Sequence, residues 1–148
     1  GSEMCIRDRA ISEKSIKDLK ILLVEDNELN MEIAEFVIQN EGASVTKAWN
    51  GQEAVEIFKK SRPDEFDVIL MDIMMPIKNG YEAAKMIRAL DRDDAKTVPI
   101  IAMTANAFTE DRLKSKESGM NEHIAKPIDA KLLVKVISKF VENKEEDS

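Results

Sequence analysis

Four of the five short apolar runs in this 148-residue chain end on residues that can handle a metal ion or a phosphate. Glu25-Asp26 follow Ile21 to Val24, Asp72 follows Phe66 to Met71, Thr104 follows Val98 to Met103, and Lys126 follows His123 to Ala125. The remaining run, Ala43 to Ala48, ends in the chemically quiet Trp49-Asn50. If the runs are parallel strands of one sheet, ligands bind at their carboxyl ends, and three carboxylates, a hydroxyl and an ammonium converge on one rim. At about 4 Å and an effective dielectric near 20, each carboxylate pair costs about 4 kcal/mol. Lys126 and a divalent cation can offset that repulsion. An all-oxygen site with few protein ligands and retained waters suits Mg²⁺, with Mn²⁺ as a substitute. A hydroxyl and an ammonium beside such a cation are phosphate ligands, and the chemistry they suggest is phosphoryl transfer. Each residue alone has a plainer reading: Asp72 as a turn residue, Thr104 as a helix cap, Lys126 before Pro127 as a solvated surface group. Glu25-Asp26 alone would be negative charge favoured at a helix start. The combination is what points to a site.

The elements that must position these residues are visible in the spacing. The first and third runs are continuous rather than alternating, as strands buried on both faces are. Helical spacing fills the intervals: Leu29, Ile33, Phe36 and Val37; Gly51, Ala54, Val55 and Phe58; Ala83, Met86, Ile87 and Leu90; Leu132, Leu133, Val136, Ile137 and Phe140. Met71, Met86 and Met103 have the patterning of buried residues, and Met75-Pro76 that of loop packing. Asn50 with Glu53, and Asn79 with Glu82, have the spacing of capping boxes, and Gly42 and Gly119 stand where helices should stop. Five β/α units in strict alternation predict a parallel sheet with helices on both faces. The segment Thr109 to Ser118 is polar nearly all round, which predicts the least firmly packed helix.

Composition narrows the classes. Hydrophobic residues are 43% and charged residues 34%, which excludes a disordered tract. No apolar run approaches the roughly 20 residues of a spanning helix, and the early apolar cluster is too short for a signal peptide. One cysteine, Cys5, and one histidine, His123, exclude a disulfide framework, a cysteine-based zinc site and paired catalytic histidines. A net charge of −7 argues against nucleic acid as the main partner. One acidic, cytoplasmic domain without membrane contact is expected, over residues 16–142, after a tag or non-native leader at 1–15 and before an acidic tail at 143–148.

The motifs Val24-Glu25-Asp26-Asn27, Met71 to Pro76, Asn79-Gly80, Pro99 to Ala105 and Ala125-Lys126-Pro127 together resemble the receiver domains of two-component signalling, from about Lys20 to Val141. Glu25-Asp26-Asn27 with Asn30, and Met103 to Ala107, are most similar to receivers of hybrid sensor histidine kinases. The resemblance implies a doubly wound, flavodoxin-like five-stranded sheet of order 2-1-3-4-5. It implies Mg²⁺-dependent transfer of a phosphoryl group from a phosphohistidine to Asp72, the site of modification. Asp26 would be the direct metal ligand, Glu25 its partner through water, and the Met74 backbone carbonyl a further ligand beside Asp72. Thr104 and Lys126 would hold phosphoryl oxygens, the small Ala105 would keep the site open, and the Lys126–Pro127 bond would be cis. Met74 and Asn106 would flank the entry path and tune the lifetime of the acyl phosphate. The implied partner is a histidine kinase or histidine phosphotransfer domain docking beside the helix of Leu29 to Val37. Output would pass through the face of the fourth helix, fifth strand and fifth helix, which also serves weak homodimers.

Two positions depart from the family pattern. Glu25 stands for the commoner Asp, and its longer stem can move the carboxylate or change the hydration of the metal. His123 stands where the family has a Tyr or Phe switch on the output face; it reads either as a plain surface histidine or as a pH-sensitive switch. The resemblance makes the domain the catalyst of its own phosphorylation and dephosphorylation. Two other classes compete: a pseudo-receiver that only binds proteins, opposed by the intact acidic set, and a flavin carrier, opposed by the acidic Glu25 to Glu28 loop where a phosphate would sit.

Overall fold

The computed structural model describes residues 16–73, 79–104, 116–126 and 128–147, with side chains as far as 140. The expected leader with Cys5, the Met74 carbonyl, Met75, Pro76, Ala105, Asn106, the Lys126–Pro127 bond and most of Thr109 to Ser118 lie outside these residues.

Five strands, β1 (Lys20–Val24), β2 (Ser44–Ala48), β3 (Val68–Asp72), β4 (Ile100–Thr104) and β5 (Glu122–Ala125), form one sheet of order β2-β1-β3-β4-β5 with every pair parallel. The expected order and direction are both met. β3 and β4 are buried along their whole length, as is β1 from Ile21, and these are the strands whose sequences are continuously apolar. β2 and β5 form the edges and are correspondingly more exposed.

The helical elements among the described residues are α1 (Glu28–Asn40), α2 (Gly51–Lys60), α3 (Gly80–Arg88), the short α4 (Asp93–Thr97) and α5 (Ala130–Asp147). α4 breaks the strict alternation expected from the sequence; at five residues it is too short to show a hydrophobic period. Successive strand side chains point to opposite faces, and the core divides accordingly. Leu22, Val24, Ile69, Met71, Ile100 and Ala102 pack with residues of α2, α3 and α4. Ile21, Leu23, Val68, Leu70, Ile101 and Met103 pack with Met31, Ala34 and Ile38 of α1 and Leu133 and Ile137 of α5. Phe58, fully buried in the first layer, contributes about 2–3 kcal/mol on burial.

Helix starts and stops follow local chemistry. Asn79 makes a full capping box with Glu82. Asn50 accepts from the Glu53 amide, but the Glu53 carboxylate turns to the Trp49 amide, so that box is incomplete. Gly42, at φ +91, ends α1 as expected, and Gly119 is likewise at positive φ, +95.

Three apolar assignments need correction. On α1 the sheet-facing residues are Met31, Ala34 and Ile38, whereas Leu29 and Phe36 are 63% and 70% exposed and Ile33 is 41% exposed. α1 carries two apolar stripes, and the one with the small Ala34 lies against the sheet. Met86 on α3 and Leu132 on α5 are likewise each 40% exposed, with Ala84 and Leu133 buried in their place. Among the described residues no helix is long and apolar enough to cross a membrane.

Candidate functional site

The ladder of the sheet runs one residue past the strands, and that extension fixes the acidic rim. The Glu25 amide donates to the Ala48 carbonyl at 3.1 Å, the Ile73 amide to Met103 at 3.2 Å, and the Lys126 amide to the Thr104 carbonyl at 2.8 Å. Asp72 itself is paired with Met103 in the β3–β4 register. Residues 22 to 30 positions apart in sequence are thus bonded across neighbouring strand ends.

Side chains complete the convergence. Lys126 Nζ lies 2.8 Å from Glu25 Oε2 and 3.0 Å from Asp72 Oδ2. Oxygens of Glu25, Asp26 and Asp72 all fall within 4.8 Å of one another. Glu25, Asp72 and Thr104 are buried and Asp26 is exposed, so the cluster has a closed floor and an open side. Glu25 Oε1 accepts from the Asn27 amide at 3.2 Å, and the Asn27 side chain in turn caps α1 by accepting from the Asn30 amide at 2.9 Å. The turn from β1 into α1 therefore orients the acidic pair.

The electrostatics follow from burial and from the count of charges. Burial pushes the Asp72 carboxyl up; the Lys126 hydrogen bond opposes this, and the Glu25 charge adds to it, for a value of about 6. Burial alone would lower Lys126, but its hydrogen bonds to Glu25 and Asp72 outweigh burial and raise it. With Asp72 ionised, three carboxylates face one ammonium, leaving two negative charges. Opposed oxygen ligands of Mg²⁺ are about 4.2 Å apart, so three carboxylate oxygens at this spacing fit a small hard divalent cation.

Glu25, Asp26, Asp72 and Lys126, singled out from sequence, are therefore brought together, and Thr104 ends the strand beside Asp72. His123 is half-buried on β5, paired with Ala102, and lines an open cleft of about 590 Å³ with Arg88, Lys116 and Asn121. That cleft belongs to the start of β5, away from the acidic rim.

The sequence did not reveal why position 80 is glycine. A Cβ on Gly80 would stand 2.5 Å from the Asp72 carbonyl oxygen and 2.9 Å from Ile73 Cα. The Gly80 amide donates to the Ile73 carbonyl at 2.9 Å. α3 thus starts directly against the Asp72 backbone, a close approach open only to glycine. The Asn79-Gly80 dipeptide, a motif of the resemblance next to the Asn79 helix start, is the available signal, and it does not by itself give the reason for glycine.

Comparison with known proteins agrees with this geometry. A family model described as response regulator receiver domain matches residues 21–138. The chain is 36% identical over 135 residues to hybrid signal transduction histidine kinase I of Dictyostelium discoideum, covering 87% of this chain but 8% of that protein. It is 34% identical over 121 residues to the polar-differentiation response regulator DivK of Brucella anthropi, covering 82% of this chain and 94% of that one. The chain thus spans only a small part of the hybrid kinases it matches and nearly all of the short regulator. Among solved structures, the receiver domain of a sensor histidine kinase from Pseudomonas aeruginosa, with a magnesium ion coordinated in its active-site cleft, superposes with a TM-score of 0.75 at 37% identity. It covers 84% of this chain and 98% of that one.

Proposed function

The chain belongs to the response regulator receiver domain family, and from that premise we propose that it accepts a phosphoryl group on Asp72 from a phosphohistidine, with Mg²⁺ held at the acidic rim. The observation that carries this reading is the placement of Lys126 Nζ within 3.0 Å of Asp72 inside a cluster of three carboxylates.

An Asp72 oxygen attacks phosphorus; the new P–O bond forms as the P–N bond breaks, and the electron pair leaves with the histidine nitrogen. Asp26, Asp72 and the Met74 carbonyl would hold the magnesium ion directly, with Glu25 acting through water. When bound, magnesium supplies positive charge that offsets the charge gathering on the transferring oxygens. Lys126 pairs with one phosphoryl oxygen and the Thr104 hydroxyl donates to another. Burial of Asp72 excludes water from one side of the acyl phosphate. Thr104 and the half-buried His123, on neighbouring strands, carry the change toward the output face.

The exposed stripe of Leu29, Ile33 and Phe36 on α1 supports a docking role for that helix toward a kinase or histidine phosphotransfer domain. The parent protein is a hybrid histidine kinase on this reading, working in the cytoplasm. Mn²⁺ substitutes for Mg²⁺ on the same oxygen ligands.

Intact mass after incubation with acetyl phosphate or phosphoramidate and Mg²⁺ tests the reading. One phosphoryl group, about 80 Da, is gained on an acyl phosphate. The gain is lost with Asp72→Asn and with EDTA. A folded protein that gains nothing from either donor overturns the reading in favour of a protein-binding module that is never phosphorylated.

A further inference from the structure

We propose that Glu25 is a clasp for Lys126, so that entry of a divalent cation and release of the lysine are one coupled event, with the length of the side chain at position 25 setting their balance. This rests on the receiver reading of the site. Both Glu25 oxygens are already engaged: Oε1 by the Asn27 amide at 3.2 Å and Oε2 by Lys126 Nζ at 2.8 Å. The carboxylate is 2% exposed, and its backbone is pinned by the 3.1 Å bond from the Glu25 amide to Ala48. Glu25 is therefore gripped from the β1–α1 turn on one side and from the end of β5 on the other.

Lys126 shares its ammonium between Glu25 and Asp72 Oδ2, at 2.8 and 3.0 Å. A divalent cation drawn in at the exposed Asp26 needs the same Asp72 carboxylate. It also repels the ammonium across a buried, weakly screened space. The two cations oppose each other, and the grip of Glu25 on Lys126 favours the lysine. An aspartate at position 25 has a stem shorter by one carbon–carbon bond, about 1.5 Å. From the same pinned backbone it leaves the 2.8 Å contact unmade while keeping its negative charge in the site. Lys126 then holds Asp72 alone and yields more easily.

A double-mutant cycle read by calorimetric titration with MgCl₂ tests the clasp. The wild type, Glu25→Asp, Lys126→Met and the double variant are each first shown to melt cooperatively. Lys126→Met tightens Mg²⁺ binding at least about fivefold, the low end of ordinary coupling between sites. Glu25→Asp tightens binding when Lys126 is present and does so by a clearly smaller factor in the Lys126→Met background. If Glu25→Asp weakens binding, or changes it by the same factor in both backgrounds, Glu25 acts on the metal directly and the clasp is overturned. Absence of Mg²⁺ binding by the wild type overturns the receiver reading, and the clasp with it.

Discussion

Buried charge occurs at both ends of this sheet, with opposite consequences. At the amino ends of the strands, Arg92 meets Asp94 two-to-two: Nε to Oδ1 at 2.9 Å and Nη2 to Oδ2 at 2.7 Å. The Asp64 amide donates to the same carboxylate at 2.9 Å. The guanidinium spends its other donors on the carbonyls of Phe58, Lys59, Ser61 and Arg62 at the end of α2, and lies 4.9 Å from the Phe58 ring centre. Burial alone would raise the Asp94 carboxyl, but these donors outweigh it and hold it below its ordinary value. At the carboxyl ends, one ammonium pairs with two carboxylates of a cluster of three, and Asp72 is pushed up to about 6. Both ends set a basic side chain against carboxylates. What differs is the ratio of donors to acceptors: a balanced pair ties α2 to α4, while an unbalanced cluster stays short of positive charge and is ready to take more. Structural charge is satisfied within the chain, and reactive charge is left to be satisfied by a ligand.

The largest effect that would break this contrast is at the balanced end. Arg92→Ala leaves a buried carboxylate unpaired and uncaps α2, at a cost of about 3 kcal/mol, and lowers the melting temperature by roughly 10 °C. Mg²⁺ affinity by calorimetry stays unchanged; a change there would mean that the two ends are coupled. Gly80→Ala comes next. It drives a methyl group against the Asp72 carbonyl and costs about 2 kcal/mol. It also slows phosphorylation by acetyl phosphate at least about tenfold, because the attacking carboxylate moves with its backbone. Normal phosphorylation in a stable Gly80→Ala protein would show that the close approach has no bearing on the chemistry.

The smallest effect has the opposite sign. In EDTA, Asp72→Asn removes one of three repelling charges and raises the melting temperature by roughly 2–5 °C. The pH dependence separates the ends further. The Asp72 carboxyl binds its proton more readily in the folded chain, at about 6, than unfolded, at about 3.9. Its destabilising contribution is therefore relieved as pH falls through that window. Asp94, held low, contributes stability that is fully present above about 3.9 and is lost only as pH falls through its lowered folded value. Wild-type stability in EDTA thus rises between pH 7 and 5 before acid unfolding. Asp72→Asn abolishes that rise, and a flat profile in the wild type would remove the electrostatic distinction between the ends.

The sequence by itself determined the strands, their burial and the residues at the rim. Continuous apolar runs have few ways to be buried, and alternation with helices leaves a parallel sheet whose carboxyl ends face one way. Glu25, Asp26, Asp72 and Lys126 were legible because each follows such a run directly. Only the tertiary structure decided which stripe of α1 faces the sheet. Met31, Ala34 and Ile38 and the stripe of Leu29, Ile33 and Phe36 both have helical spacing, and the fit of small Ala34 against neighbouring strands chooses between them. The role of Gly80 was hidden for the same reason: the backbone it must clear belongs to a residue eight positions earlier. The Arg92–Asp94 clamp drew no notice in the sequence, because its acceptors come from an α2 terminus 30 to 34 positions away. Spacing records what neighbours along the chain can do; the sharing of one lysine between carboxylates from two strands is fixed only when those strands lie side by side.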